Sequence, residues 1–486
     1  MSFAASEYHG YYQLSQCALR VHLRAKGMPG AEPDAYHQLL VKLGQRHEQR
    51  HLSRLGQYVD ARGDVEETRR AVARGDAVIY QPEMKATHPE YGEVVGRPDF
   101  FIREGDGYVI GDCKLARRFT EEAHPEIFRQ LELYGWLYEK TFGNPPVRIE
   151  AYMGDGQTQT VPNDHARALE VLGTIQNLKQ LQEEPFEAIG WSKCLDCGYN
   201  DYCWKRAKEN RAVGMLPGVD QMLAGAFHKQ RIISYDDLLS KYDEGTFAEV
   251  QKEVAGKLRK VGTAARKILN HAKAFQTGEM IQLQAPDVKR APNLVMFDVE
   301  GIPPHLDYSE KTYLWGLKVY GEKPRAYSPA VAMATPEGDC EGWRKFLGEC
   351  SAIFTEYGSI PFVHWSSYEK TQVNKYVKKC GDDDGIANRV LENLYDLRPV
   401  VENAFVLPTP SYGLKLIEQF AGYKRSLRES GGKWSMATYI EAVETEDPAK
   451  ASQLMGEILK YNEEDLDALW FVYQWVLGNG YRPAGA

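Results

Sequence analysis

The stretch GRPDFFIREGDGYVIGDCK, residues 96–114, decides how the first part of this chain folds. Asp99 follows a Gly-Arg-Pro turn and opens an apolar run, DFFI. A Gly-Asp-Gly turn at 105–107 reverses the chain. A second apolar run, YVIGDCK, ends in Asp112, Cys113 and Lys114. Two apolar runs around a glycine turn read as a β-hairpin. Asp112 and Lys114 are two apart and share a face, whereas Cys113 points the other way, into packing. The hairpin thus gathers two carboxylates beside an ammonium. Carboxylate oxygens hold a divalent ion, and an ammonium orients water or stabilises an oxyanion, which is what phosphodiester hydrolysis needs. A surface hairpin with ordinary charges is the plain alternative.

Helical and extended patterns flank this hairpin. Ser15 reads as the cap of a short helix through Leu19 and Leu23. Residues 34–57 read as an amphipathic helix with Leu39, Leu40, Leu43, His47 and Leu55 near one face. A lone helical histidine is commonly structural, and His47, in GQRHE, gains interest from the hairpin. VIYQPEM (78–84) reads as a strand. Residues 126–143 read as a helix on which Gln130 and Tyr134 are i, i+4 neighbours. VRIEAYMG (147–154) is a further strand, and a helix spans about 163–184. This order indicates an α/β layer with the charged hairpin at its centre.

The cysteines make a second constellation. Cys194, Cys197 and Cys203 are spaced C-x2-C-x5-C. Three thiols this close suggest a metal site, and Cys17 is the best candidate for the fourth ligand. Spacing alone fits either zinc or an iron–sulfur cluster. Cys340, Cys350 and Cys380 have no ligand spacing and read as core or surface thiols.

A chain of 486 residues is too long for one core. Its 43% hydrophobic and 26% charged residues are those of a globular protein. No apolar run approaches the ~20 residues of a membrane span, so no membrane partner is expected. The N-terminus lacks a basic segment followed by an apolar core, so a cytoplasmic location is expected, where cysteines serve metals or cores rather than disulfides. The net charge of −9 weighs against nonspecific nucleic-acid binding but suits carboxylate-rich metal sites.

Residues 205–290 change character. LPGVDQMLA (216–224) has a helix–turn–helix look, and FAEVQKEVAGKLRKVGTAARKILNHAKAF reads as a long, partly basic helix suited to phosphates or simply to solvent. GEMIQLQAPDVKRAPN reads as a linker. Beyond it, NLVMFDVEGIPP (293–304) is a buried strand carrying Asp298 and Glu300 on one face, which is costly unless the acids find a cation or partners. KTYLWGLKVYG (311–321) is its antiparallel neighbour. His364, Tyr368 and Glu369 lie on a strand running into a helix. Tyr461 and Asp465 are i, i+4 on an amphipathic helix, 457–476. Asp298, Glu300, Glu369 and Asp465 could together hold two metal ions.

The first 205 residues resemble the RecB-like PD-(D/E)xK nucleases, in particular the iron–sulfur branch that includes the AddB nuclease domain and RecB-type CRISPR-associated exonucleases. The resemblance rests on His47 in GQRHE, Asp99 in GRPDF, Asp112 and Lys114 in DCK, and Gln130 and Tyr134 in QLELY. It implies that His47, Asp99 and Asp112 bind Mg²⁺ or Mn²⁺ and that Lys114 assists the nucleophilic water. Gln130 and Tyr134 would position the strand, and Cys17, Cys194, Cys197 and Cys203 would hold a [4Fe–4S] cluster. Residues 216–224 resemble a helix–hairpin–helix, with Asp220 where a second glycine is usual.

Residues 290–486 resemble the RNase H-like, DnaQ-type DEDD exonucleases. Asp298 and Glu300 match the first motif and HWSSYE, ending in Glu369, the second. Tyr461 and Asp465 match the Tyr variant of the third, with Tyr461 orienting the attacking water. Asp396 is the alternative to Glu369 as the remaining ligand. The fold expected is α/β in three parts. Residues 1–208 form a PD-(D/E)xK nuclease with an iron–sulfur staple, 209–288 a helical linker domain, and 289–486 an RNase H-like domain. The function implied is a metal-dependent nuclease on single-stranded or end-containing DNA, in repair or defence. The alternatives are an RNA-processing nuclease and a non-catalytic nucleic-acid scaffold. No G-x4-G-K-[ST] is present, so any unwinding would come from a helicase or defence-system partner.

Overall fold

The computed structural model describes residues 2–12, 16–116, 120–254, 256–303, 311–332, 338–426 and 431–479. It divides into two compact units, one largely Met1–Ala188 with Ser192–Cys203, the other largely Trp204–Pro303 with Ser309–Ala486.

In the first unit, helix α1 (Ala18–Ala25) is capped by Cys17, whose Sγ accepts the Arg20 N–H at 3.4 Å. Ser15, the expected cap, lies outside the described residues. Helix α2 (Ala35–Leu55) starts at Asp34, whose carboxylate accepts the His37 N–H. A six-stranded sheet follows, made of β1 (Val59–Asp60), β2 (Val78–Tyr80), β3 (Phe100–Glu104), β4 (Gly107–Lys114), β5 (Arg148–Met153) and β6 (Thr158–Val161). The strands lie in that spatial order. β3 and β4 form the expected hairpin, from Phe100↔Gly111 to Glu104↔Gly107, with Gly105 in the left-handed region at φ +61°. β4 and β5 run parallel, which requires a crossover, and helix α3 (Pro125–Phe142) provides it. α3 buries its long apolar stripe, including Leu131, Leu133 and Leu137, against the sheet. Each such side chain contributes about 2 kcal/mol of apolar burial. Helix α4 (Ala166–Gln180) closes the same core. The run 78–84 is not one strand. It stops at Tyr80 and resumes as Met84–His88 in a separate three-stranded sheet, with Gln81 at φ +46° and Pro82 between.

In the second unit, Pro217-Gly218 forms a turn between a single 3₁₀ turn, Val213–Met215, and helix α5 (Gln221–Lys229). The first helix of the expected pair is thus only one turn long. Asp220 caps α5 by accepting the Leu223 N–H and pairs with Lys252. The long basic helix is also broken. β7 (Gln251–Val254) and β8 (Lys257–Lys260) form an antiparallel hairpin before helix α6 (Ala264–Thr277). Gly256, at φ +73°, supplies the left-handed turn that a continuous helix excludes. Part of the expected linker, Ile281–Gln282, pairs with Phe405–Val406 as a two-stranded ladder.

The main sheet of this unit comprises β9 (Asn293–Ile302), β10 (Lys311–Gly321), β11 (Arg325–Val331), β12 (Phe362–His364) and β13 (Leu394–Asp396). Its spatial order is β11-β10-β9-β12-β13, antiparallel up to β9 and parallel beyond it. Helices α7 (Gly338–Tyr357) and α8 (Tyr368–Cys380) build one apolar layer around Trp315, Trp343 and Phe346. Helix α9 (Leu397–Ala404) and helix α10 (Leu414–Ala421) pack with helix α12 (Pro448–Asn479) in the other layer, and helix α11 (Gly432–Glu444) lies beside α12. Cys340 and Cys380 are joined in a disulfide, which corrects their reading as separate thiols. They sit at the start of α7 and the end of α8, 40 residues apart in sequence, so only the packing of those helices brings them together.

Candidate active sites

The first site lies at the end of the β3–β4 hairpin, under α3. The Asp99 Oδ2 accepts the Cys113 N–H at 2.6 Å, and the Asp112 Oδ1 accepts the Asp99 N–H at 3.3 Å. These bonds hold the two carboxylates side by side. Lys114 Nζ lies 2.5 Å from Asp112 Oδ2 and donates to Gln130 Oε1 at 2.8 Å. Gln130 Nε2 donates to the Tyr134 hydroxyl at 2.8 Å, which in turn donates to the Arg97 carbonyl at 3.1 Å. One chain of bonds therefore links the strand residues to the helical Gln-x3-Tyr pair. Cys113 faces away, against a cluster of Leu52, Tyr80, Phe100 and Tyr152.

The electrostatics favour a cation here. Burial, with the charges of Asp112 and Glu48, holds the Asp99 carboxyl well above its ordinary range. Burial opposes the Lys114 charge, but Asp112 outweighs it and keeps the ammonium above its usual value. Burial and both acids push the Tyr134 phenol far up, so it acts as a neutral donor. His47 donates from Nε2 to the Tyr152 carbonyl at 2.9 Å, leaving Nδ1 to accept. That arrangement is common for a metal-ligating histidine. His47, Asp99 and Asp112 do not form a trio with ligand atoms all within 4.8 Å of one another.

Glu48 was not among the candidates drawn from the sequence. Its carboxylate accepts from the Tyr80 hydroxyl and from Gln81 Nε2, both at 2.6 Å, and its charge is felt at Asp99. The backbone N–H of Gln81 donates to the Asp99 carbonyl at 2.7 Å. The strained left-handed Gln81 is thus held by two bonds at the site's edge. The signal for Glu48 was its place next to His47.

Near the end of this unit, Ala18 N–H and Lys193 Nζ both reach the Glu187 carboxylate, at 2.8 and 2.5 Å. The Tyr199 hydroxyl reaches the Met28 carbonyl at 2.9 Å. Cys17 and the cysteine-bearing segment 194–203 are therefore drawn together, and the charge of Cys197 is felt at Cys17. Burial pushes the Cys17 thiol up to about 11. Among the described residues, Cys17, Cys194, Cys197 and Cys203 are not a group with sulfurs all within 4.8 Å of one another.

The second site lies where β9 meets α12. Asp298, Glu300 and Asp465 bring one oxygen each to within 4.8 Å of one another. A register shift between Glu300 and Gly301 interrupts the β9–β10 ladder at this point, and pairing resumes with Gly301↔Thr312. Asp298 Oδ2 accepts from Asn462 Nδ2 at 2.7 Å, and the Tyr327 hydroxyl steadies Asn462 at 2.8 Å. Tyr313 donates weakly to Glu300 at 3.4 Å and shares a 2.7 Å bond with Ser435. Tyr461 hydrogen-bonds Asp465 on the next turn of α12. Burial and the neighbouring Asp465, Glu300 and Glu369 hold Asp298 far above its ordinary value. Burial and Asp465 push Glu300 up to about 8.

Glu369 is not one of the close trio, although its charge reaches Asp298. Its carboxylate faces His364 Nδ1 at 3.3 Å and the Ser366 hydroxyl at 3.5 Å. Asp396 caps α9 by accepting the Arg398 N–H at 3.0 Å, and also accepts the Ser366 N–H at 3.2 Å. Its bonds are those of a structural turn. Arg425 was not among the candidates. Its Nη2 lies 2.5 Å from Asp465 Oδ1, while Nε and Nη2 grip Glu418 at 2.5 and 2.7 Å.

Residues 13–204 match the family model of the PD-(D/E)XK nuclease superfamily, and residues 295–477 match that of the RNase_H superfamily. No curated protein matches the chain. Among the solved structures, one described as "Crystal structure of SSO0001" is 14% identical, with 34% of this chain and 96% of that chain covered and a TM-score of 0.19. The chain carries a PD-(D/E)XK nuclease superfamily domain at 13–204 and an RNase_H superfamily domain at 295–477, both phosphodiester-hydrolysing nuclease folds.

Proposed function

We propose that this protein is a metal-dependent DNA nuclease, an exonuclease on single-stranded or end-containing DNA, with one hydrolytic site in each family domain. The observation that carries the reading is the convergence of three carboxylates, the half-buried Asp298 with the buried Glu300 and Asp465, in a family fold that cleaves phosphodiesters. Mutual repulsion and burial raise Asp298 and Glu300, so the trio fits a divalent cation, as do Asp99 and Asp112 in the first site. Bound there, Mg²⁺ or Mn²⁺ would supply Lewis acidity and charge at the phosphate. His47, Asp99 and Asp112 would hold it in the first site; Asp298, Glu300 and Asp465 in the second.

The chain's own groups do the rest. Lys114, fixed between Asp112 and Gln130, orients water and offsets charge developing on the phosphate. Gln130 and Tyr134 position the strand. Tyr461 orients water beside Asp465. Cys17, Cys194, Cys197 and Cys203 fit a [4Fe–4S] cluster in one respect: a buried thiol as hard to ionise as Cys17 is relieved by an adjacent cationic centre. We take 1–208, 209–288 and 289–486 as the domains, and a cytoplasmic role in DNA repair or defence beside a helicase or defence-system partner.

The test is cleavage of labelled single-stranded DNA, duplex DNA and RNA in Mg²⁺ or Mn²⁺, by the native chain, Asp112→Ala, Asp298→Ala and the double variant. The double variant is expected to be inactive and DNA to be cut faster than RNA. Undiminished cleavage by both single variants and the double one would sink the reading, and faster cutting of RNA would select the RNA-processing alternative.

A further inference from the structure

We propose that the first unit carries a nucleotide pocket outside both carboxylate centres, in which Arg20 and Arg24 together hold one phosphate and an apolar wall takes the attached sugar and base. The nucleotide comes either from a bound strand or as a free monophosphate. The pocket goes beyond the hydrolytic reading and is tested with both centres silenced.

The cavity measures about 340 Å³ and lies between the short helix Glu7–Tyr12, α1 and α4. That is within the range of small-molecule sites, ~300–1,000 Å³. Arg20 and Arg24 are i, i+4 on α1 and share a face. Both heads come to one residue of the short helix. Arg20 Nη1 donates to the Gly10 carbonyl at 3.2 Å, and Arg24 Nη1 lies 3.5 Å from where a Gly10 Cβ would stand. Two guanidinium groups converging on one glycine repel each other, and neither meets a carboxylate among the described residues. The one acid in the lining, Glu7, is already committed. It accepts the Ala4 N–H at 3.0 Å and lies 2.6 Å from Lys179 Nζ. Glu7 and Lys179 therefore cancel, and the two arginines remain as the uncompensated charge of the cavity. A phosphate matches that pair in charge and in the geometry of its oxygens. The rest of the lining is more than a bare anion requires: Tyr11, Val21, Ala25 and Ile175 make an apolar wall. In a chain with two nuclease-family domains, an anion that carries an apolar and stackable body is a nucleotide. The charges of Arg20 and Lys114 are both felt at His9, so the pocket lies within electrostatic range of the first centre.

The experiment uses the full chain carrying Asp112→Asn and Asp298→Asn, so that no strand is cut, in EDTA, so that no divalent ion contributes. Binding of thymidine 5′-monophosphate and of inorganic phosphate is measured by calorimetry, and binding of a labelled single-stranded oligothymidylate by fluorescence anisotropy. Arg20→Gln with Arg24→Gln should weaken oligothymidylate binding about tenfold. It should also lower the slope of log affinity against log salt by about 0.7, the share of one phosphate on a single strand. Ala25→Glu sets a carboxylate on the exposed rim and keeps both arginines. It should weaken binding in the same direction, and it keeps the test open should the paired change fail to fold. A loss confined to the oligonucleotide makes the pocket a strand subsite, and a loss that extends to thymidine monophosphate makes it a mononucleotide site. Unchanged affinity for both nucleotide probes in both variants would overturn the proposal, as would weaker strand binding with an unchanged salt slope. Inorganic phosphate binding as tightly as thymidine monophosphate would overturn it too, since the apolar wall would then recognise nothing. Cleavage is read separately, in Mg²⁺ or Mn²⁺ with both carboxylate centres intact. A native chain that cuts no nucleic acid sinks the nuclease reading, whereas the pocket's binding stands on its own.

Discussion

The two sites solve one problem with cations drawn from different distances along the chain. In the first, the cation is local: Lys114 is two residues from Asp112 on one strand, and strand periodicity alone puts the two on one face. In the second, Arg425 reaches Asp465 from 40 residues away, beyond the end of α10. A local cation is fixed by backbone geometry and costs little to hold. A distant one must be held by packing and by its own clamp, here Glu418. The first arrangement is therefore expected to show its importance in catalysis, and the second in catalysis and stability together.

The largest effect is expected from removing the local cation. With Asp298→Ala silencing the second site, Lys114→Met should lower metal-dependent cleavage about 10³-fold, or about 4 kcal/mol of transition-state stabilisation. Urea unfolding should change much less, because Asp112 keeps the Asp99 N–H and its place on the strand. A loss of stability matching the loss of rate would erase the contrast between the sites.

Arg425→Met should do the opposite to the balance. It strands the buried Glu418 carboxylate and leaves Asp465 among like charges, so the unfolding free energy should fall by about 3 kcal/mol. Combining it with Glu418→Gln should recover part of that loss. Urea titration of single and double variants reads both. A single variant as stable as the parent would mean that the clamp holds nothing.

These examples show what was legible in the sequence. The hairpin, α2, α3, β9, β10 and α12 were, because each is announced by turn residues or by an unbroken period. Asp112, Lys114, Gln130 and Tyr134 were legible together, since two short-range periodicities place them. Arg425, Asn462 and the Cys340–Cys380 disulfide were not, because only tertiary packing makes them neighbours. The β7–β8 hairpin was missed for a different reason: one glycine in a run of helix formers outweighed the run. Glu48 was missed by a single helical position.

Acid gives a third way to separate the units. His271, fully buried on α6, accepts no proton readily: burial lowers it to about 4 from an ordinary value of 6.5. The unfolded chain therefore binds the extra proton first as pH falls through 6.5. Stability present above that pH is lost progressively down to about 4, by about 3 kcal/mol in all. Thermal unfolding between pH 7 and 4 should show the second unit losing stability over this window, and His271→Phe should flatten that slope. An unchanged slope in the variant would assign the acid response elsewhere.

The smallest effects concern how closely each site's helix approaches its strands. A Cβ at Gly96 would meet Leu137 Cδ1 at 2.5 Å and the Tyr134 ring at 2.9 Å. A Cβ at Gly316, the cross-strand partner of Asp298, would run into the Asn462 amide. Alanine at either position should cost about 1 to 2 kcal/mol by overpacking. The catalytic consequences should diverge. Gly96→Ala pushes on Tyr134, at the far end of a bonded chain that reaches Lys114 through Gln130. Its effect on the first site should be mild, because two flexible side chains absorb the shift. Gly316→Ala pushes on Asn462, which bonds Asp298 directly at 2.7 Å. It should weaken Mn²⁺ binding by the second site about tenfold. Equal losses at both sites would mean that the close approach of helix to sheet, rather than the length of the bonded chain, governs how each site tolerates strain.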